Sequence, residues 1–516
     1  MEIRPIRQLT RMFFSNRKYM TVCCAIIVLV ISFFTYFNNY HKPAGLFWDE
    51  NYHIPSAEKY IQGVMFMECH PPLGKLLIAL GEVILSPNRD IDKTSFTSTD
   101  YISGVPPGMS FSGYRFFPTL FATCGAVLFF LLLFFISRNN LLSLAGSSLY
   151  LFDNALVVHF RGAMLDGIQL FFIFAALLCF LCSIRDNRKP GWIHYSLLGL
   201  LSGLAISVKL NSTIILPLFV IMFGYEYKSE LINSYNEIFS NRNIKNGLKQ
   251  LLFLLKKSLP RVAQSVPVIL IVFILVFWVH TGLGSKIPAD KTYAASPEYI
   301  EIMQQKRTLS ISSFPVMLGD NLSYIANYHK GVPKLDLTNP GENGSHPFNW
   351  PFGNKTINYK WEKTGNKVRY LYLVGNPVIW TIGLAGILLG FVLAAGRFIF
   401  KTPVSNKNLF NLVMVFLFLY VSYMYTMISI DRVMYLYHYL IPLQFSLFTA
   451  FLVFTYIYEE YIKKNSARLF IPVLLIAILI FKTFLFFSPL TYYKELTAEQ
   501  FQACVWSANW RLENVK

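Results

Sequence analysis

Charge is what this sequence has least of. Asp, Glu, Lys and Arg make up 14% of its 516 residues, against roughly 25% in a soluble globular domain, so a wholly soluble protein is excluded. Cysteine is scarce too, and the seven present show no metal-ligand spacing. Cys23, Cys24, Cys124, Cys179 and Cys182 lie inside apolar blocks, where the C-x-x-C pair Cys179 and Cys182 reads as small packing residues rather than a redox motif. Nothing supports a disulfide between Cys69 and Cys504, which lie outside the blocks. No solenoid repeat is present, nor are the matched broken spans of an inverted-repeat transporter. The first apolar block is followed by Asn38, Asn39, Tyr40 and His41 rather than by a small-residue cleavage site, so it reads as an uncleaved span and not a signal peptide. The balance of 46 Lys and Arg against 28 Asp and Glu leaves +18, yet no folded basic unit interleaved with aromatics exists to track phosphates, so nucleic acid is not the expected partner.

What is abundant is apolar surface: 54% hydrophobic residues and a mean hydropathy of +0.44, gathered in blocks long enough to cross a bilayer. The blocks fall near 19–37, 113–136, 140–158, 164–184, 192–208, 211–225, 262–281, 375–396, 409–430, 434–458 and 469–488. Eleven spans place the two ends of the chain on opposite sides. Cations collect in short connections: Arg4, Arg7, Arg11, Arg17 and Lys18; Arg185, Arg188 and Lys189; Arg397, Lys401 and Lys407; Lys463, Lys464 and Arg468. The 226–261 connection is basic as well, with Lys228, Arg242, Lys245, Lys249, Lys256, Lys257 and Arg261. The positive-inside rule then puts the N-terminus in the cytoplasm. Two long segments, 38–112 and 282–374, face the outer side. Both are rich in Pro, Gly, Asn and Tyr without clean strand alternation, so loops with short interfacial helices are expected, one of them over Leu73–Leu85. The expected architecture is an all-α polytopic membrane protein, divided into a transmembrane region with the first outer loop (1–281), a large outer loop (282–374) and a C-terminal four-helix region (375–516).

Against so little charge, the ionisable residues beside or within spans stand out. Phe47-Trp48-Asp49-Glu50-Asn51-Tyr52-His53 follows the first span, and Glu68-Cys69-His70-Pro71-Pro72-Leu73-Gly74-Lys75 sets a His and a Lys around a stiff Pro-Pro turn. Arg115, Asp153, Arg161, Asp166, Lys209, Asp431, Arg432 and His438 lie in or at the ends of spans, where charge is costly and points to function. Snorkelling explains a single cation. It does not explain why Asp49, His70, Arg115, Arg161, Asp166, Lys209 and Arg432 all converge on the outer face. A carboxylate among cations suits transfer from a phosphate-linked lipid: cations hold the phosphate, and the carboxylate takes a proton from the attacking hydroxyl. The competing class is a transporter or flippase whose charges line a path at mid-depth.

Phe47-Trp48-Asp49-Glu50, His70-Pro71-Pro72-Leu73-Gly74-Lys75, Asp153-Asn154-Ala155-Leu156-Val157 with Arg161 to Asp166, Ala205-Ile206-Ser207-Val208-Lys209, His346-Pro347-Phe348-Asn349-Trp350-Pro351 and Leu436-Tyr437-His438-Tyr439-Leu440-Ile441-Pro442 together resemble the signatures of protein O-mannosyltransferases, polytopic GT-C glycosyltransferases that use polyprenyl-phosphate mannose. The resemblance implies an inverting transfer of mannose to Ser or Thr of secreted or membrane proteins, with Asp49 as catalytic base and Glu50 shaping the acceptor site. It implies Arg161 and Lys209 on the donor phosphate with His70 and Arg115 behind them. Trp350, His346 and Tyr359 are candidates for acceptor or sugar contact. The lipid-linked sugar is a co-substrate. No tightly bound cofactor is expected, no metal ligands are assigned because His329, His346 and His438 fit no metal spacing, and dependence on a divalent metal stays open. A different sugar, a lipid acceptor, and a dimer also stay open. Eukaryotic members insert soluble MIR domains in the large outer loop, for which 282–374 is too short. The resemblance is therefore to the bacterial form, in the plasma membrane with its site outside, whereas a eukaryotic member would sit in the endoplasmic reticulum. Asn321-Leu322-Ser323, Asn343-Gly344-Ser345 and Asn354-Lys355-Thr356 are sequons of the kind Asn-rich loops generate by chance.

Overall fold

The structure, a computed structural model, describes residues 17–184, 189–239, 244–288, 291–339, 341–464 and 466–513. Arg4, Arg7, Arg11, Arg185, Arg188 and Arg242 lie outside the described residues, as does the side chain of Arg17. Eight helices among the described residues are long and apolar enough to cross a membrane: Lys18–Tyr36, Ser112–Ser137, Asp166–Ser183, Ile244–Leu283, Pro377–Phe398, Lys407–Ser429, Leu436–Ile457 and Ala467–Thr491. The other three apolar blocks are helical but not straight, full-length spans. Trp192–Val208 is a shorter apolar helix, Asn140–Leu151 and Asn154–Phe160 meet at a bend of 62°, and Leu210–Glu226 and Lys228–Phe239 meet at 79°.

Two of these departures have a local cause in the sequence. At the 62° bend, Asp153 takes an extended backbone and its carboxylate accepts the Leu156 N–H at 3.0 Å, the N-cap bond that starts a new helix. The other carboxylate oxygen accepts the Asn376 N–H at 3.1 Å and the Trp380 indole N–H at 2.9 Å, tying the break to the Pro377–Phe398 helix. Asn154 and Asn376 add bonds to Phe484 O and Ile480 O on the Ala467–Thr491 helix. A buried carboxylate with three donors is satisfied where a continued helix would leave it orphaned. Further on, Trp192–Val208 stops at Lys209, whose extended backbone (φ −148°, ψ 136°) leads into a 3₁₀ turn, Leu210–Ile215, and Pro217 opens the next helix. Within the expected 226–261 connection the described residues include helix Lys228–Phe239 and the start of Ile244–Leu283, which runs 40 residues, about twice the length a hydrocarbon core of roughly 30 Å requires.

The two long segments gather at one end of the bundle. Segment 38–112 forms helices Glu50–Gln62 and Leu73–Leu85 and a 3₁₀ turn at Thr94–Thr97. Gly63, at φ +71°, closes the first helix by donating its N–H to Tyr60 O. Segment 282–374 forms Pro297–Gln304 and Phe314–Gly331 and also a β-hairpin, which the sequence reading did not anticipate. β1 (Ile357–Thr364) pairs antiparallel with β2 (Lys367–Leu373), and β2 pairs with the short β3 (Glu495–Leu496). β1 alternates buried and half-buried residues over its first four positions and is exposed beyond them, whereas β2 is covered over nearly all of its length. The register slips between Asn358 and Lys360, which leaves Tyr359 in a bulge and directs it inward. At the opposite end, short connections meet around a second cavity of about 310 Å³ lined by Arg138, Asn406, Glu459 and Lys463.

Candidate active site

The larger cavity, about 770 Å³, opens at the end where the long segments pack, and Asp49, His70, Lys75, Lys209, Arg432 and His438 all line it. Asp49 is the residue before the Glu50–Gln62 helix, yet its side chain makes no cap bond. It is half-buried and has no side-chain hydrogen-bond partner among the described residues. Burial pushes its carboxyl above the usual value; the Lys209 and His159 charges pull the other way. The carboxylate is thus presented to the cavity with its lone pairs free.

What holds Asp49 there is its neighbours. Trp48 adopts φ +49°, a left-handed backbone that costs a bulky residue of order 1 kcal/mol or more. Its ring stacks on Tyr359 at 5.1 Å and meets the edge of Tyr435 at 5.2 Å. Glu50 points the other way, into the protein. Its Oε1 accepts Arg115 Nε–H at 2.7 Å and the Ala163 N–H at 2.9 Å, and its Oε2 accepts Arg115 Nη2–H at 2.8 Å and the Phe47 N–H at 3.2 Å. Arg115 spends its remaining donors on Pro43 O at 2.9 Å and Gly45 O at 3.0 Å. Both side chains are wholly buried and neither lines the cavity.

Arg161 is likewise removed from the cavity. Its guanidinium donates to Tyr36 O at 3.2 Å, Thr491 O at 3.2 Å and Asn38 O at 2.5 Å, and covers the Tyr492 ring at 4.7 Å. It ties the end of the first span to the end of the last. Lys209 does face the cavity: its Nζ donates to both Asp166 oxygens at 2.9 Å and lies 5.5 Å from the Tyr437 ring centre. Asp166 also bonds His159 Nε2 at 3.0 Å, and His159 Nδ1 bonds the Tyr359 hydroxyl at 2.7 Å. A buried chain therefore runs from the cavity lysine to the bulged tyrosine behind Trp48.

Lys75 is paired with Glu68, which also accepts from Ser56. The His70 ring lies 6.3 Å from that of His329, whose Nδ1 accepts from Arg432 at 3.2 Å. Burial, with Lys209 and Lys75 adding to it, pushes the His70 imidazole well below its usual pKa, so it is neutral near pH 7. Of the aromatic candidates, Trp350 is wholly buried, bonded to Ser345 Oγ at 2.9 Å and stacked 6.0 Å behind His438. His346 is exposed and caps the Pro347–Phe352 turn, and Tyr359 is buried against Trp48 and His159. None of the three lines the cavity. Among the described residues no three His, Cys, Asp or Glu side chains are arranged to hold a metal.

Sequence reasoning left out His159 and Asn211, and weighed His329 only as a metal ligand. His159 sits in an apolar helix where a lone histidine reads as packing. Asn211 bridges Gln169 at 2.6 Å and the Tyr423 hydroxyl at 3.0 Å across the mouth of the 3₁₀ turn. Only the bend at Lys209, invisible in a hydropathy profile, brings it there.

Fold and cavity together define a polytopic helical membrane protein with an ion-lined cavity at one end of its helices. Residues 26–281 match the family model of dolichyl-phosphate-mannose-protein mannosyltransferase, and residues 330–510 match that of the C-terminal four-TMM region of protein-O-mannosyltransferase. The chain belongs to the protein O-mannosyltransferase family. Relatives include protein O-mannosyl-transferase 2 of Danio rerio, 27% identical over 40% of this chain and 27% of that protein. Dolichyl-phosphate-mannose–protein mannosyltransferase 3 of Saccharomyces cerevisiae is 26% identical over 53% of this chain and 34% of that protein. The chain thus matches about a quarter to a third of the length of these relatives. A chain of the S. cerevisiae protein O-mannosyltransferase Pmt1-Pmt2 complex bound to the sugar donor has the same fold, with a TM-score of 0.75 over 96% of this chain and 93% of that one, at 15% identity.

Proposed function

We propose that this chain transfers mannose from polyprenyl-phosphate mannose to Ser or Thr hydroxyls of proteins, with Asp49 as general base. The observation that carries the reading is the unpartnered Asp49 carboxylate on the wall of a cavity that Lys209, Arg432, His53, His70 and His438 also line. Asp49 takes the hydroxyl proton as the oxygen attacks the anomeric carbon. The bond from that carbon to the phosphate oxygen breaks on the opposite face, and polyprenyl phosphate leaves, so a β-linked donor yields an α-linked product. A base with a raised pKa holds the proton more firmly at the moment of attack.

Lys209 and Arg432, with neutral His70 as a further hydrogen-bonding group, are the residues placed to meet the donor phosphate and the charge that develops on it. Arg115 and Arg161 act through position: the first holds the Phe47–Glu50 turn, the second the bundle end beneath it. Glu50 belongs with Arg115. The cavity faces the non-cytoplasmic side, a reading supported by Arg138 and Lys463 at the opposite end; for a chain of the bacterial form this is the outside of the plasma membrane.

The test is transfer of mannose from a synthetic polyprenyl-phosphate mannose to a Ser/Thr peptide by the purified chain, with mass spectrometry of the product. Mannosyl-peptide from wild type and none from Asp49→Asn supports the assignment. Undiminished transfer by a folded Asp49→Asn removes Asp49 as the base, and movement of lipid across vesicles without a covalent product replaces the enzyme by a flippase.

A further inference from the structure

His53 lies one helical turn beyond Asp49, its backbone N–H bonded to Asp49 O at 2.9 Å, and lines the same cavity. Residues four apart share a helix face, so the two side chains look into one space. His53 is 5% exposed. Its Nδ1 stands 2.7 Å from the carbonyl oxygen of Ala163. A carbonyl only accepts, so Nδ1 must carry the hydrogen. Burial, with Lys75 next, pushes the imidazole well below its usual pKa, so the ring stays neutral. In a neutral ring with Nδ1–H, the other nitrogen is a lone pair. Nε2 has no partner among the described residues. Nε2 therefore offers an unpaired acceptor to whatever donor the cavity holds.

From this geometry we infer that His53 Nε2 is a substrate-binding acceptor, receiving a hydrogen bond from a hydroxyl group held in the cavity beside Asp49. The inference rests on the transferase reading, which brings two kinds of hydroxyl there: those of the hexose and that of the Ser or Thr. A cation as ligand is disfavoured by Lys75 and Lys209 nearby, and an anion finds no donor in Nε2. A neutral hydroxyl is the group that fits.

The Ala163 peptide also shows how the position is fixed. Glu50 accepts its N–H and His53 donates to its C=O, so two side chains of one helical turn grip the same residue. A purely structural role would end there.

Two substitutions separate the roles. In His53→Asn the amide nitrogen takes the place of Nδ1 and keeps the bond to Ala163 O, while nothing replaces Nε2. In His53→Gln the amide oxygen reaches toward the position of Nε2. Kinetics are measured for full-length protein in detergent or nanodiscs, varying polyprenyl-phosphate mannose and peptide separately, with thermal unfolding in parallel. The expected result is a loss of about tenfold in kcat/KM for His53→Asn at an unchanged melting temperature, with partial recovery in His53→Gln. A loss confined to the donor assigns the hexose hydroxyl, and a loss confined to the peptide assigns the Ser or Thr hydroxyl. Wild-type kinetics in His53→Asn overturn the inference while leaving Asp49 as base. Equal losses in both variants that follow a lowered melting temperature overturn it in favour of a packing role. A wild-type chain that makes no mannosyl-peptide overturns the transferase reading and this inference with it.

Discussion

Glu50 and Arg115 meet through two parallel bonds of 2.7 and 2.8 Å, both side chains wholly withdrawn from solvent, although one belongs to the first long segment and the other to the second span. The pair sits directly behind Asp49. Adjacent carboxylates in the sequence therefore have opposite fates: one is fully satisfied by four donors and the other is left free. Because Glu50 also accepts from Phe47 and Ala163, the pair fixes both the turn that carries Asp49 and the turn that faces it.

Removing one partner of this pair strands a buried charge. Glu50→Ala and Arg115→Ala should each cost about 3–5 kcal/mol of stability, read as a lowered unfolding temperature in detergent, with the double variant less damaged than the two losses added. Arg115→Lys should not rescue, because an ammonium cannot make the side-on pair and reach two carbonyls as well. Arg115 variants with normal unfolding and a raised KM for the donor would contradict the positioning role.

Arg161 and Lys209 should separate in kinetics. Arg161→Met is expected to lower stability while leaving the KM for the lipid donor within about twofold in the protein that remains folded, since its donors go to Tyr36, Asn38 and Thr491 carbonyls. Lys209→Met is expected to cut kcat/KM by roughly a hundredfold or more, the scale of losing an electrostatic contact to a developing charge. An Arg161 variant with a strongly raised donor KM would return that residue to the phosphate site.

Asp49 makes a stability prediction of definite sign. Its folded-state pKa is raised above the unfolded value, by burial, so its contribution is favourable below the ordinary carboxylate value of 3.8 and is lost as pH rises through the folded value. At neutral pH the ionised carboxylate is a burden on the fold. Asp49→Asn should unfold at or above the wild-type temperature at pH 7 while losing transfer by about 10²- to 10⁴-fold. A clear drop in its unfolding temperature would show that the carboxylate is structurally paired.

The same shift sets the acid limb of the pH profile. With Asp49 as the proposed base, kcat/KM should fall toward acid at a pH above 3.8, and Asp49→Glu should move that limb. His53 and His70, both held low by burial, should contribute no change between pH 6 and 8. A second titration in that range that vanishes in His70→Gln would show that His70 carries charge in the working enzyme.

Hydropathy and charge were enough to locate the apolar blocks and the helix at Leu73–Leu85 and to single out Asp49, His70 and Lys209 as candidates, because burial of apolar length in a bilayer is a one-dimensional property. The sequence could not distinguish the three cationic candidates Arg115, Arg161 and Lys209 from one another. Arg115 and Arg161 are as isolated in apolar sequence as Lys209, and snorkelling, pairing and ligand binding all predict that pattern. Only the tertiary structure supplied their partners: a carboxylate and carbonyls for Arg115, carbonyls alone for Arg161, an aspartate at the cavity edge for Lys209. It also bent the 140–158 block where Asp153 interrupts it, separated the 192–208 and 211–225 blocks at the extended Lys209, and brought Tyr359 from a bulged strand to brace Trp48. What a chain places in the membrane is decided by its composition along the sequence; which of its few charges remains free to act is decided by which others find partners when distant segments pack.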